Sequence, residues 1–543
     1  MDRDEPRFAH ATVEMLERED FLIPYFNDEY RFDKPPLTYW WMSLNFAAFG
    51  VNEFSARLHS TQATWLTALV IFFFALRLGL KRSTAFYAAA IWLTCLQTLI
   101  HSRMAVADMP LILFVTLACS TLHKAMSENK TTFTQVALLS LWLALAFLAK
   151  GPLAYAIPQL ALLLTVLFII LGKKEGQTKS QLASFWSAQW TFLIALLPSL
   201  ILVGLWAIPA LIETGGAFFN VGIGTHVVER GTAAMNKRDF IPGIYLLWVF
   251  PFLLPWSALL PITIKRTNQT PTLDARFLLA TFIAPFLIFS FYKSQLPHYI
   301  LPGYPFFALL LALTWKKDVD LKLFGKTLTR LACWLPILAG ILISAFALLL
   351  KTRPAYDPDF ATLLTLLGGL LFALGLFGIV IRRTINPLAL APFVIIIFAS
   401  LHFGGALARK AHLTIRLKEL TGPIQPGRLE ASHFAEESLV WYYDDFSKKE
   451  ITGFLTKHPE IQDLDPESAA LSIVTKRRWR IDEHSILPLL TLREVRPLKD
   501  NTELLTELFG AETVKNAPTV SGWSPGTMSW FEVLVLHQKP PSN

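Results

Sequence analysis

The sequence predicts a helical polytopic membrane protein with a small α/β domain outside the membrane at its C-terminal end. Three observations carry that reading. Of the 543 residues, 53% are hydrophobic and 17% charged, against about 25% charged in soluble proteins, and the mean hydropathy is +0.44. Apolar runs of roughly 17–25 residues, each long enough to cross a bilayer as a helix, recur up to about residue 407. From about Arg416 the long runs stop and charges such as Lys418, Glu419, Glu436, Glu437, Asp444 and Asp445 crowd in.

The opening stretch, residues 1–58, is polar and rich in carboxylates. Pro6 suits the first turn of a helix, with Asp4 or Glu5 as its cap. Phe8, Thr12, Met15 and Leu16 follow at helical spacing, so 6–19 reads as an amphipathic helix at the membrane surface. Pro35 and Pro36 open a second helix with an apolar face of Leu37, Trp40, Trp41, Leu44 and Ala48, its paired Trp suited to the interface.

About twelve spans follow, at 59–80, 84–103, 107–123, 133–150, 152–171, 188–212, 244–264, 275–292, 298–315, 331–350, 360–381 and 388–407. They form a membrane domain over 59–407, and 408–543 forms the outer domain. In that domain Ala469–Val474 and Phe531–His537 read as strands, and Glu436–Phe446 and Asn501–Phe509 as helices.

Basic loops set the orientation. Arg77, Lys81 and Arg82, then Lys124 and Lys130, Lys173, Lys174 and Lys179, Lys265, Arg266 and Arg276, the group from Lys316 to Arg330, and Arg382 with Arg383 alternate along the chain and mark the cytoplasmic side. The outer side then holds 1–58, the turn at 101–108, Lys150, the loop 213–243, Lys293 to His298, 351–359 and the tail. Residues 1–58 have no preceding span to carry them outward, which predicts an apolar helix of roughly 20 residues encoded upstream. The net charge of +8 does not point to nucleic acid, because the Lys and Arg sit between apolar runs. Cys95, Cys119 and Cys333 lie in apolar segments and indicate neither a disulfide framework nor a thiolate metal site.

Six polar clusters converge on the outer side. Asp4 and Glu5 either cap a helix or supply a general base toward an acceptor hydroxyl, with Arg7 nearby to hold an anion. Asp33 and Lys34, stiffened by two prolines, are either a solvated pair or a phosphate or metal–phosphate site. Asp108, at the edge of a span, needs a partner, because a carboxylate in hydrocarbon costs about 2.5–3.5 kcal/mol; Arg103 is the local candidate. Lys150 is placed on the outer side by the helix-breaking Gly151-Pro152. His226, Glu229 and Arg230 occupy a glycine-flanked loop, and Lys293, His298 and Tyr299 lie at an outer mouth.

The stretches DRDEPRFA, RFDKPPLTYWW, SRMAVADMPL, LAKGPL, GTHVVERGT, PWS and KSQLPHYILPGYP, in that order, resemble the bacterial polyprenyl-phosphate-sugar-dependent glycosyltransferases. These include the lipid A aminoarabinose transferase and the bacterial relatives of protein O-mannosyltransferases. The resemblance runs from residue 2 to about 310. It implies a glycosyltransferase C fold lacking its first helix here, in a bacterial inner membrane with the active site and C-terminal domain facing the periplasm. The catalytic carboxylate maps to Asp4, with Glu5 beside it and Asp108 as a third acidic candidate; Arg7 and Lys34 map to positions that handle the lipid phosphate. A metal-ligand role falls on Asp33, where the aminoarabinose transferase has Glu, so a divalent metal is the one cofactor implied.

Implied partners are a polyprenyl-phosphate-linked sugar donor and a lipid or protein acceptor, with Lys150, His226, Arg230, Lys293, His298 and Tyr299 as further substrate-binding candidates. Transfer would invert the anomeric centre. The chain shows neither a P-loop nor a dinucleotide fingerprint, as expected if the donor is lipid-linked. The rival classes are a lipid or small-molecule transporter, which needs ionisable groups along a path through the midplane, and an envelope sensor, which needs no acidic and basic motifs.

Overall fold

The computed structural model describes residues 4–26, 29–172, 177–222, 241–269, 272–315, 358–381, 412–422, 428–432, 469–481, 492–495, 501–524 and 529–538, with short pieces between 334 and 348 and residue 441. The chain forms two compact units, Ala11–Tyr25 with Tyr30–Phe324, and Met1–His10 with Phe26–Glu29 and Gly325–Asn543.

Helix α1 spans Glu5–Glu17, of which only Ala11 onward belongs to the larger unit. That unit is helical, with α2 Leu37–Phe49, α3 Glu53–Arg77, α4 Arg82–Thr94, α5 Leu96–His101, α6 Asp108–Glu128, α7 Phe133–Lys150, α8 Leu153–Leu171 and α9 Gln177–Glu213. After these come α10 Ile244–Phe252, α11 Leu260–Gln269, α12 Leu273–Ser290 and α13 Tyr304–Leu313. Among the described residues six helices, α3, α6, α7, α8, α9 and α12, are long and apolar enough to cross a membrane.

Local chemistry starts them. The Asn52 side chain accepts from the amides of Phe54 and Ser55 while Ser55 Oγ accepts from the Asn52 amide, a reciprocal cap for α3. Thr132 and Gln135 make the same exchange at the start of α7. Pro110 sits in the first turn of α6, where a missing N–H leaves no helical bond unmade.

Helix α3 buries mostly small and polar residues. On α3, His59, Ser60, Ala63, Thr64 and Thr67 are buried, whereas Trp65, Leu69 and Phe73 are exposed. The buried hydroxyls do not lack partners: Thr64 and Thr67 donate to the carbonyls of Ser60 and Ala63 at 2.7 Å. Small side chains allow close helix approach where lipid surrounds the outside. Helix α2 buries Thr38, Tyr39, Met42, Ser43, Asn45 and Phe46, and Leu44 of the expected apolar face is exposed.

Three expected spans are broken. The stretch 84–103 divides at Cys95, whose backbone is extended at φ −62°, ψ 134°. The amide of Leu96 donates to the carbonyl of Leu254 at 2.8 Å, and Trp256 Nε1 donates to Thr94 Oγ1 at 2.8 Å, so another segment takes up the groups that the break releases. The stretch 244–264 becomes α10, a short 3₁₀ turn at Trp256–Leu259 and α11, because Pro255 has no amide to donate and disfavours helix at the residue before it. The stretch 298–315 opens as a 3₁₀ turn, Pro297–Gly303, before α13. Most of 331–350 and all of 388–407 lie outside the described residues.

In the other unit a helix, Pro358–Ile381, matches the expected span at 360–381. Beyond it, strands β1 Arg428–Ser432, β2 Ala469–Ile481, β3 Leu492–Val495, β4 Thr519–Ser524 and β5 Ser529–Gln538 form one sheet. The spatial order is β1-β2-β5-β4, with β3 on β2; β1 and β2 are parallel and the other pairings antiparallel. Val474, Leu534 and Leu536 of the sheet enclose Leu505 of the helix Thr502–Phe509. The expected strands and the helix at 501–509 are therefore present, while the helix expected at Glu436–Phe446 lies outside the described residues apart from Trp441.

Candidate active site

The turn between α1 and α2 builds the first cluster. Arg31 is fixed by its amide, which donates to the Pro24 carbonyl at 2.8 Å, and by Nε, which donates to Tyr39 Oη at 2.9 Å. Its Nη2 lies 3.1 Å from Asp33 Oδ2, and Lys34 Nζ lies 2.7 Å from Asp33 Oδ1. Two cations thus share one carboxylate, leaving a net positive charge at the entry to α2. Both carboxylate oxygens are already engaged by cations, and among the described residues no group of three His, Cys, Asp or Glu could hold a metal ion.

The second cluster comes from the hairpin of α6 and α7. These helices have 21 and 18 residues, about 30 and 27 Å at 1.5 Å per residue. A four-residue connection joins them, so the start of α6 returns beside the end of α7. Asp108 is the first residue of α6 and Lys150 the last of α7, each at the helix end whose dipole favours its charge. Gly151, at φ 78°, lets the chain leave α7 immediately after Lys150.

Lys150 Nζ donates to Asp108 Oδ1 at 2.6 Å. The partner of Asp108 is thus Lys150, and Arg103, the local candidate, is exposed. His298 approaches the same oxygen, with Nε2 at 4.0 Å. The Tyr299 ring lies 5.8 Å from Lys150 Nζ, within cation–π range, and is backed by Phe289 at 4.5 Å between centroids. Asp108 is only 8% exposed. A charge so enclosed is tolerated because it is paired.

What holds Asp108 in place is the loop before it. His59 Nε2 lies 3.1 Å from the Val106 carbonyl, and Ser60 and Thr61 of α3 donate to the carbonyls of Val106 and Ser102 at 3.3 and 2.7 Å. An apolar cluster of Ile23, Leu148, Trp206, Ala210 and Phe218, against which Phe32 and Leu37 pack, lies beside the first of these clusters, since Phe32 and Leu37 bracket Asp33 and Lys34. Trp206 Nε1 donates to the Leu22 carbonyl at 2.8 Å and ties the turn to α9.

Asp108, Lys150, His298 and Tyr299 are thus brought together, as are Asp33 and Lys34. Lys293 is exposed in the segment leading to His298. Asp4, Glu5 and Arg7 belong to the other unit. There Asp4 is exposed and accepts the Phe8 amide on its carbonyl at 3.2 Å, Glu5 is 3% exposed, and Arg7 is partly buried. His226, Glu229 and Arg230 lie outside the described residues. Sequence reasoning missed Arg31, His59 and His101. Only Arg31 left a signal, its place two residues before Asp33 in RFDKPP.

Residues 1–212 match the family model described as dolichyl-phosphate-mannose-protein mannosyltransferase. The resemblance is to lipid-linked-sugar glycosyltransferases. A curated relative, the undecaprenyl phosphate-α-4-amino-4-deoxy-L-arabinose arabinosyl transferase of Erwinia tasmaniensis, is 30% identical over 315 residues, covering 57% of this chain and 54% of the relative. The enzyme of the same description from Yersinia pestis is 30% identical over 313 residues with the same shares. The chain therefore spans about half the length of the curated relatives it matches.

Among solved structures, ArnT from Cupriavidus metallidurans bound to undecaprenyl phosphate superposes with a TM-score of 0.65 at 16% identity, covering 99% of this chain and 95% of that one. Its apo form gives 0.60 at 17% identity, covering 99% and 94%. The fold of the chain is that of ArnT.

Proposed function

We propose that the protein transfers a sugar from a polyprenyl-phosphate donor to a lipid or protein acceptor at the periplasmic face of a bacterial inner membrane, with inversion. The observation that carries this reading is the Asp108–Lys150 pair with His298 and Tyr299, enclosed at one end of the spanning helices. The family match over 1–212 and the fold of ArnT support it. The basic loops support the orientation, and with about twelve spans the C-terminal α/β region lies on the same outer side. The curated relatives make undecaprenyl phosphate the first lipid carrier to test.

In the reaction, the bond between the anomeric carbon and the phosphate oxygen breaks as the acceptor oxygen attacks from the opposite face. The leaving group is a phosphate monoester, and its growing charge requires cations more than a proton. Among the described residues of the larger unit, Lys150, Lys34, Arg31 and Lys293 can serve that task, with Arg7 and Arg230 the further candidates of the motifs. Among the described residues both contacts to Asp108 use Oδ1, which favours Oδ2 as the oxygen toward which an acceptor hydroxyl is oriented. The acceptor proton passes to a carboxylate, for which the motifs name Asp4 and Glu5 beside Asp108. An acceptor that is itself a phosphate arrives already anionic and needs the base less. No step requires a metal.

The test is to incubate the full chain in proteoliposomes with a labelled undecaprenyl-phosphate sugar, offering lipid A or a peptide pool, and to read the product's anomeric configuration by NMR. Inverted product supports the reading. A folded chain that transfers to neither acceptor, or that retains configuration, overturns it.

A further inference from the structure

His101 falls outside every motif considered above, yet it stands against the Asp108 cluster. It is the last residue of α5 and 7% exposed. Its Nδ1 lies 3.3 Å from the Gln97 carbonyl one turn back. That contact is a hydrogen bond when the proton is on Nδ1, which leaves Nε2 as the acceptor nitrogen.

The ring of His101 packs on the ring of His298, with centroids 5.0 Å apart and planes at 41°. Tyr299 meets His298 edge-on at 5.0 Å and 87°. His298 thus has two ring neighbours, His101 and Tyr299, while its Nε2 lies 4.0 Å from Asp108 Oδ1. Such a distance tightens to a hydrogen bond in many enzymes once substrate is bound.

The break at Cys95 is part of this arrangement. α5 is a separate short helix because Leu96 and Thr94 bond to Leu254 and Trp256. The redirected helix delivers His101 to the cluster.

We propose that His101 is a positioning residue for glycosyl transfer: its ring sets the orientation of His298 against Asp108 and so leaves the second carboxylate oxygen for the acceptor. This rests on the transfer reading above. The expected effect is on turnover rather than donor binding, because a misplacement of about 1 Å costs up to about 10²-fold in rate.

The experiment compares wild type, His101→Ala, His101→Phe, His298→Ala and the double variant His101→Ala/His298→Ala in proteoliposomes, measuring kcat and KM for the polyprenyl-linked donor. His101→Ala should lower kcat about 10- to 100-fold with KM within about twofold. His101→Phe keeps a flat ring and should restore kcat to within about threefold of wild type. The double variant should be no slower than His298→Ala, since residues acting as one unit are not additive. If His101→Ala does not yield folded protein, His101→Asn supplies the ring-less comparison. The proposal is overturned if the Phe variant is as slow as the Ala variant, if the loss lies in KM, or if the two single effects add. A silent wild type overturns the transfer reading itself, whereas an active wild type with equally active His101 variants overturns this inference alone.

Discussion

Two carboxylate–lysine pairs belong to the candidate site in the larger unit, and they differ in how the chain makes them. Asp33 meets Lys34, its neighbour in sequence, in a turn before α2. Asp108 meets Lys150 from 42 residues away, across a helical hairpin. The first pair is local and shared with Arg31, so Asp33 keeps a cation if Lys34 is lost. The second is about as exposed, at 12–13% against 14–20% for Lys34 and Asp33, and stands at two helix ends. A local pair survives small movements of the fold, whereas a distant pair exists only when the hairpin is in register. The distant pair is therefore both a stability element and a sensor of correct packing.

That comparison is broken most forcefully at Lys150. Lys150→Ala leaves Asp108 enclosed without its cation and should destabilise the unit by about 3–5 kcal/mol, read as a lower unfolding midpoint in detergent, with transfer abolished. Replacing both, as Lys150→Met with Asp108→Asn, should recover most of the stability and none of the transfer. Recovery of transfer would make the pair purely structural.

Asp4→Asn probes the other unit and comes next. Asp4 is exposed, so its loss as a base should cost about 10²–10⁴-fold in rate and under about 1 kcal/mol in stability, because Asn still caps a helix. Glu5 is buried, so Glu5→Gln should shift the melting point more than Asp4→Asn does. Equal transfer by Asp4→Asn and wild type would move the base to Glu5 or Asp108.

Lys34→Ala is expected to act mainly on donor affinity, raising KM about tenfold, with a stability change of at most about 1 kcal/mol because Arg31 still pairs with Asp33. A stability loss as large as that of Lys150→Ala would erase the distinction between the pairs. Arg31→Lys is expected to be the mildest of the set in rate. Its effect should show in stability, since the planar fork that reaches both Tyr39 and Asp33 is lost, and thermal unfolding in detergent measures it.

The sequence made one pair plain and hid the other's partner. RFDKPP writes Asp33 and Lys34 side by side, but nothing near Asp108 names Lys150. The lengths of α6 and α7 contain the answer, because two antiparallel helices of similar length bring their free ends together; Arg103 drew attention only by being near in sequence. Helix α2 was only partly legible: Leu44 and Ala48 of its expected apolar face are exposed, but Leu37 and Trp40 pack against the cluster around Ile23 and Trp206. The breaks at Cys95 and Leu254–Trp256 were not legible, because a hydropathy window sees 84–103 as one run, and the bonds that stabilise the break come from residues about 160 positions away. His101 was missed with that break, since only a redirected α5 brings it to His298. In the C-terminal unit ordinary alternation placed β2 and β5, but the parallel pairing of β1 with β2 depends on a long connection that no local pattern records.

The most direct measurement of the central claim is a ³¹P NMR time course of undecaprenyl-phosphate sugar with the full chain in proteoliposomes, run beside the Lys150→Met/Asp108→Asn double variant. The wild type should release one polyprenyl phosphate monoester for each sugar transferred, while the folded double variant releases none. Release at the wild-type rate by the double variant, or sugar transfer without the monoester signal, would contradict the assignment of Asp108 and Lys150 to the reaction.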